Sequence, residues 1–146
     1  MPSRDVFLSG NAGNDTLRSG NNDSILIGGV GDDSLVSGNG KDILIGGLGK
    51  DTLDAGNGTD ILIAGATTHD ATTSTARIAL CNAHEAWKKG GKPANLASIF
   101  NSGTLINDTS VDALFGRNGA DWFLMNISGA GPYDVSDASG ETVNDI

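Results

Sequence analysis

Between residues 10 and 63 apolar positions recur every nine residues in a fixed internal order. The units read GNAGNDTLR (10–18), SGNNDSILI (19–27), GGVGDDSLV (28–36), SGNGKDILI (37–45), GGLGKDTLD (46–54) and AGNGTDILI (55–63), with no residue between them. Each opens with a stretch rich in glycine, asparagine or aspartate, which favour turns. Each closes with three residues of β-branched or apolar character centred on a leucine: Leu17, Leu26, Leu35, Leu44, Leu53 or Leu62. The pattern predicts turn, strand, turn, strand, with two units completing one turn of a flattened right-handed spiral. In a three-residue strand only the central side chain faces inward. The leucines therefore predict a ladder filling a narrow space between two parallel sheets.

Positions seven and nine face outward and differ by parity. Thr16/Arg18, Ser34/Val36 and Thr52/Asp54 predict a polar face, and Ile25/Ile27, Ile43/Ile45 and Ile61/Ile63 predict an isoleucine face that needs a cover. Two covers fit: a helix from the same chain, or a second copy forming a homodimer through Ile25, Ile43 and Ile61. The helix is predicted over 74–89, where Ala76, Leu80, Ala83 and Trp87 fall on one stripe flanked by Ala79 and Ala86. Gly90, Gly91 and Pro93 stop it. Beyond it the phase returns in SIFNSGTLI (98–106), NDTSVDALF (107–115) and GRNGADWFL (116–124), with Leu105, Leu114 and Phe123 at position eight and Asp112 and Asp121 at position six. These read as three divergent coils. The chain thus divides into an N-terminal cap (1–9), repeats (10–63), a connecting loop and helix (64–97), and divergent repeats with a C-terminal cap (98–146).

Composition changes the picture in one direction. Of 146 residues 22 are glycine and only 5% are aromatic, so a core of large side chains is not expected. Nine basic against 18 acidic residues leave a net charge of -9, which argues against nucleic acid and for cations as partners. Sixteen of the acids are aspartate, because Glu85 and Glu141 are the only glutamates. The single cysteine, Cys81, allows no intrachain disulfide. No apolar run reaches the roughly 18 residues of a membrane span, and Met1 to Asp5 carries no apolar leader segment.

Aspartates eighteen residues apart should stack at the ~4.8 Å strand spacing, which places Asp15, Asp33 and Asp51 in one column. Carboxylates so close repel unless a cation lies between them, and hard oxygen donors select calcium over zinc. The unit G-G-x-G-x-D-x-L-x resembles the RTX, or haemolysin-type, calcium-binding repeat of secreted bacterial proteins. The resemblance implies a mainly β fold, the right-handed parallel β-roll of nonapeptide repeats, here with one inserted amphipathic helix and a divergent C-terminal cap. It also implies the ligand sets: carbonyls of positions one and three plus the Asp of one coil, with carbonyls of positions two and four plus the Asp of the next. Carried over, one calcium site takes Gly10, Ala12, Asp15, Gly29, Gly31 and Asp33. A second takes Gly28, Val30, Asp33, Gly47, Gly49 and Asp51, and a third, on the opposite edge, takes Ser37, Asn39, Asp42, Gly56, Gly58 and Asp60. Ser24 breaks that edge's column, so the site beside it is expected to be weak unless Asp23 substitutes. Asp23, Asp32 and Asp54 are off-phase and read as solvated.

The tail, DWFLMN followed by YDVSDASGETVN, resembles a C-terminal region found after such repeats in large secreted bacterial proteins, and the ending Asn144-Asp145-Ile146 is faintly similar to uncleaved C-terminal secretion signals. A secreted, extracellular protein without a cleaved N-terminal signal peptide is expected. No catalytic signature accompanies the repeats: there is no G-x-S-x-G, and His84-Glu85 does not continue as H-E-x-x-H. His69 and His84 read as surface or loop residues and Cys81 as a packing residue. The expected function is a non-enzymatic calcium-binding module that folds on binding its ion, with an adhesin or ligand-binding module using a flat face as the alternative and a hydrolase with an unrecognised site as a third reading.

Overall fold

The computed structural model describes residues 5–70, 73–90, 100, 105–106, 108–125, 135–136 and 142–145. Alternating turns and short strands build two parallel sheets. The first holds β1 (Val6–Ala12), β3 (Ser24–Val30), β6 (Ile43–Leu48), β9 (Ile61–Ile63), β14 (Trp122–Met125) and β16 (Thr142–Asp145), in that spatial order. The second holds β2 (Thr16–Arg18), β4 (Ser34–Val36), β7 (Thr52–Asp54), β12 (Ala113–Phe115) and β15 (Val135–Ser136). A narrow third sheet of Asn-Gly pairs, β5 (Asn39–Gly40), β8 (Asn57–Gly58) and β13 (Asn118–Gly119), lines one edge. There Asn57 Nδ2 donates to Asn39 Oδ1 at 2.8 Å and Asn118 Nδ2 to Asn57 Oδ1 at 2.7 Å. This is a parallel β-roll.

Up to Ile63 each residue pairs with its counterpart two repeat units on, as in Leu17 with Leu35 and Leu44 with Leu62. The ladder of Leu26, Leu35, Leu44, Leu53, Leu62, Leu114 and Phe123 is fully buried between the two sheets. Pairing starts earlier than expected, because β1 sets Phe7 beside Ile25 and Leu8 beside Leu26. Leu8 is itself a position-eight leucine; without the repeat's glycines and position-six aspartate before it, the unit does not show in the sequence.

After β7 and β9 a long stretch of chain is looped out, and the coil then resumes in phase, with Leu114 on Leu53 and Phe123 on Leu62. The described strand of the segment expected as a first divergent coil does not join the stack. Its Leu105–Ile106 forms β11, which runs antiparallel to β10 (Ala66–Thr67); most of 98–104 lies outside the described residues. A leucine at the right count, without the position-six aspartate and the glycines that open the repeats of 10–63, does not hold the phase. The tail adds a further coil, longer than two nonapeptide units, since β15 pairs Val135 with Ala113 and β16 pairs Thr142 with Trp122. The backbone of Asn144 and Asp145 is therefore part of a sheet, while most of the YDVSDASGETVN segment and Ile146 lie outside the described residues.

The looped-out segment carries α1 (Ser74–Lys88), capped by the Thr73 hydroxyl, which accepts from the Ala76 N–H at 3.4 Å. Gly90, in the left-handed region at φ +101, ends it, and Gly91 and Pro93 lie outside the described residues. Its buried face is Ala76, Leu80, His84 and Trp87. Leu80 and Trp87 cover the isoleucine face, together with Phe100 and with Phe7, Trp122 and Leu124, which extend that face along the sheet. Ile25, Ile43 and Ile61 are 2%, 0% and 1% exposed within the single chain. The helix therefore covers the isoleucine face within the single chain.

His84 departs from the expectation of a surface residue. It is buried, and its Nε2 donates to the Lys41 carbonyl at 2.6 Å, beside the Trp87 ring. Ala83 only borders the cluster and Ala86 is exposed, because the stripe turns toward Lys41 and the roll edge. Nearby, Lys88 Nζ binds Asp5 at 2.5 Å, Glu85 at 2.8 Å and Asp23 at 3.3 Å.

Leu80→Ala should cost about 2–5 kcal/mol, the usual range for emptying a packed leucine site, whereas Ile78→Ala, on the exposed side of α1, should stay within about 0.5 kcal/mol. Denaturant unfolding in calcium-containing buffer checks both, and similar losses for the two would contradict the observed helix face.

Candidate metal centre

Two edges join the sheets. Turns 10–15, 28–33 and 46–51 form the first edge, and turns 19–24, 37–42 and 55–60 form the second. On the first edge position two is left-handed at Asn11 (φ 74), Gly29 (φ 120) and Gly47 (φ 112). An L side chain there is strained, and asparagine is among the few that tolerate it. Position one is restricted by space instead: a Cβ on Gly46 would lie 2.5 Å from Asp51 Oδ2 and 2.6 Å from the Ala64 carbonyl. The repeat's glycines thus leave room for a carboxylate and a carbonyl to approach each other.

The in-phase aspartates form two columns along the roll. On the first edge the Asp15 N–H donates to Asp33 Oδ1 at 2.7 Å, the Asp33 N–H to Asp51 Oδ1 at 2.8 Å and the Asp51 N–H to Asp112 Oδ1 at 2.7 Å. On the second edge the Asp42 N–H donates to Asp60 Oδ1 at 2.9 Å and the Asp60 N–H to Asp121 Oδ1 at 2.8 Å. One oxygen of every carboxylate after the first in each column is thereby fixed to the preceding coil. The other is not: Oδ2 of Asp15, Asp33, Asp42, Asp51 and Asp60 is buried with no hydrogen-bond partner. A buried carboxylate oxygen without a donor is costly, and five in register call for a common compensating charge.

Burial is the main cause of a raised pKa at each of four columnar carboxyls. It lifts Asp42 to about 6, Asp51 to about 7 and Asp60 to about 8, and it raises Asp33 as well. Neighbouring aspartates add to the rise: Asp33 and Asp108 at Asp51, and Asp42 and Asp121 at Asp60. The hydrogen bonds from the preceding coil oppose the shift without cancelling it.

The residues expected as ligands are brought together in these turns: Gly10, Ala12, Asp15, Gly28, Gly29, Val30, Gly31, Asp33, Gly47, Gly49 and Asp51 on the first edge, and Ser37, Asn39, Asp42, Gly56, Gly58 and Asp60 on the second. The Ser37 hydroxyl is engaged, donating to the Ala55 carbonyl at 2.8 Å. Among the described residues no three acidic, histidine or cysteine side chains converge on one point. A cation here must draw on backbone carbonyls beside one carboxylate from each coil. Carboxylate and carbonyl oxygens together fit a calcium-sized hard cation.

The remaining acids are engaged rather than merely solvated. Asp23 does not stand in for the missing column member, because its Oδ1 accepts from the Lys41 N–H at 2.9 Å and its Oδ2 faces Lys88. Ser24 instead donates its own hydroxyl to Asp42 Oδ1 at 2.6 Å. Nor are the off-phase aspartates idle. Asp32 Oδ1 accepts from the Lys50 N–H at 3.0 Å, and Asp54 holds Arg117 through two bonds of 2.7 and 3.0 Å. Position five forms its own ladder, visible in the sequence only as the recurrence of Asn14, Asp23 and Asp32 in successive units.

Comparison with known families matches the model described as RTX calcium-binding nonapeptide repeat, in four copies, over residues 9–44 and 36–66. RTX nonapeptide repeats bind Ca2+. No curated protein and no solved structure matches the chain.

The raised pKa values set a sign for the metal-free chain. Each carboxyl titrates above its ordinary 3.8 in the fold, so its contribution to stability is complete below that value and is lost as pH rises through about 6 for Asp42, 7 for Asp51 and 8 for Asp60. With chelator present, the residual β-signal in circular dichroism should be weaker at about pH 9 than at about pH 5. Greater metal-free stability at the higher pH would show that the columns do not carry this strain.

Proposed function

Since this chain is a haemolysin-type RTX repeat protein over residues 9–66, we propose that it acts as a non-enzymatic, calcium-dependent folding module of a secreted bacterial protein, with calcium seated between successive coils of the roll. The observation that carries this reading is the register of buried, unpartnered Oδ2 atoms at Asp15, Asp33, Asp42, Asp51 and Asp60. The ions would lie in the Asp15/Asp33 and Asp33/Asp51 gaps of the first edge and the Asp42/Asp60 gap of the second, each completed by the carbonyls of the glycine-rich turns. Bound calcium supplies the positive charge that lets two desolvated carboxylates face one gap. The chain's own part is to aim those oxygens inward and to exclude water with the leucine ladder.

The gap beside Ser24 differs. Its serine hydroxyl and the Lys88 ammonium near Asp23 supply the positive ends that an ion supplies elsewhere. This gap is left out of the assignment. No disulfide is available among the chain's residues, so loss of the ions removes the strongest tie between coils. Folding and binding then become one transition. Extracellular calcium modules work at about 10⁻⁴–10⁻³ M, a range that keeps such a chain unfolded where calcium is scarce and folds it outside the cell. Among the described residues no helix is long and apolar enough to cross a membrane.

Circular dichroism of the chain in excess chelator should show loss of the β-signal that calcium restores, with calorimetry giving calcium binding and refolding at the same midpoint. An unchanged spectrum on chelation would overturn the proposal. Asp33→Ala should lower the number of bound ions, because Asp33 belongs to two gaps, while Asp54→Ala, which removes an ion pair with Arg117 away from the columns, should keep the full number. Equal calcium loss from the two variants would refute the assignment of ligands by phase.

A further inference from the structure

We propose that one calcium ion clasps the two ends of the looped-out segment together and so holds the helix lid on the roll. This inference rests on the calcium reading above and adds a site at the mouth of the insertion. In the earlier first-edge turns one continuous run of chain leaves the first sheet and enters the second. In the turn after Asp51 the two halves come from distant parts of the sequence. Ala64 to Thr67 leave the first sheet on the way to α1, and Asp108 to Asp112 enter the second sheet on the way back.

Both halves meet the coil of Asp51. The Ala64 carbonyl and Asp51 Oδ2 crowd the same face of Gly46, as the Gly28 carbonyl and Asp15 Oδ2 crowd Gly10. Asp51 is fully buried and its Oδ2 has no hydrogen-bond partner. From the returning half, Asp112 takes the Asp51 N–H on Oδ1 at 2.7 Å, the bond that each column member makes with its neighbour. Asp108 replaces a backbone contact. The Gly31 N–H reaches the Leu48 carbonyl at 2.8 Å, whereas the Gly49 N–H reaches Asp108 Oδ2 at 2.6 Å.

The gap is thus bordered by an outgoing carbonyl, a returning carboxylate and the buried Asp51. Oxygens from both ends of the insertion can share one ion there. Without the ion, Asp51, Asp112 and the nearby Asp108 repel, and the returning half is pushed from the roll. The short pairing of β10 with β11 and the packing of Leu80 and Trp87 are then left to hold the lid. A divalent cation in this gap makes the closure of the mouth, and with it the residence of α1 on the isoleucine face, dependent on calcium.

The test uses the full chain, with calcium chloride as the only added metal. Hydrogen exchange of the amides in 76–88 is followed with and without calcium, beside the number of ions bound by calorimetry. In the unmodified chain calcium should slow exchange in α1 by about tenfold or more. Asp112→Asn should lose one ion and most of that slowing, while strands β3 and β6 keep theirs. Should Asp112→Asn fail to fold, Asp112→Ser replaces it, since this phase already accommodates Ser24 in the same chain. Asp33→Asn is the control for the reading beneath: it should lose calcium yet retain the calcium-dependent slowing in α1. If Asp33→Asn loses ions and Asp112→Asn keeps both its ions and its helix protection, the clasp is wrong and the repeat sites stand. If neither variant loses an ion, the calcium reading itself fails.

Discussion

Everything in this fold answers to the burial of like charges in register. Each coil of two nonapeptide units sets its aspartate directly on the next, and the leucine ladder beside them excludes the water that would screen their repulsion. After the first member of each column, one oxygen of the carboxylate is satisfied by the neighbouring aspartate's amide, which also ties successive coils together. The second is left facing a gap walled by glycines. The position-one glycines of the first edge follow from that gap, because a Cβ at Gly10, Gly28 or Gly46 would occupy the space of the carboxylate.

Two hydrogen-bond ladders of opposite polarity accompany the columns. At position six an amide from the earlier coil donates to the later side chain, as from Asp33 to Asp51; at position five the earlier side chain accepts from the later amide, as Asp23 does from Lys41. Together they hold a coil from above and below. The Asn39, Asn57 and Asn118 stack adds a neutral third ladder on the second edge. The roll therefore has a polar frame independent of its leucine core, and that frame needs counter-charge at only one of its three rows.

Much of this was legible because the repeat imposes the same local demand many times. Position-eight leucines, position-six aspartates and the parity of the outward residues translate directly into ladder, columns and the two unlike faces. What escapes lies where one of those demands is met differently. The sequence before Leu8 carries none of the repeat's glycines, the coil after the helix carries Asp108 where a backbone carbonyl serves elsewhere, and the tail coil outgrows the nonapeptide count before Val135 and Thr142 regain their partners. His84 escapes for another reason. A histidine on an otherwise alanine-rich stripe gives no sign that a carbonyl at Lys41 awaits it across the helix-sheet interface.

The return to phase after so long an excursion says how such a scaffold can be elaborated. Between successive members of the first aspartate column the sequence separation rises from 18 for Asp33 and Asp51 to 61 for Asp51 and Asp112. That is less than two doublings of the connection, so the added closure entropy is only about 1 kcal/mol. Burying a leucine or tryptophan from the inserted chain offsets that with about 1.5–3 kcal/mol each. The stack registers which coil comes next but not how far the chain has travelled in between. Whole elements can therefore be spliced into an edge turn at little thermodynamic cost, provided that the returning segment restores its aspartate and leucine to the row they left.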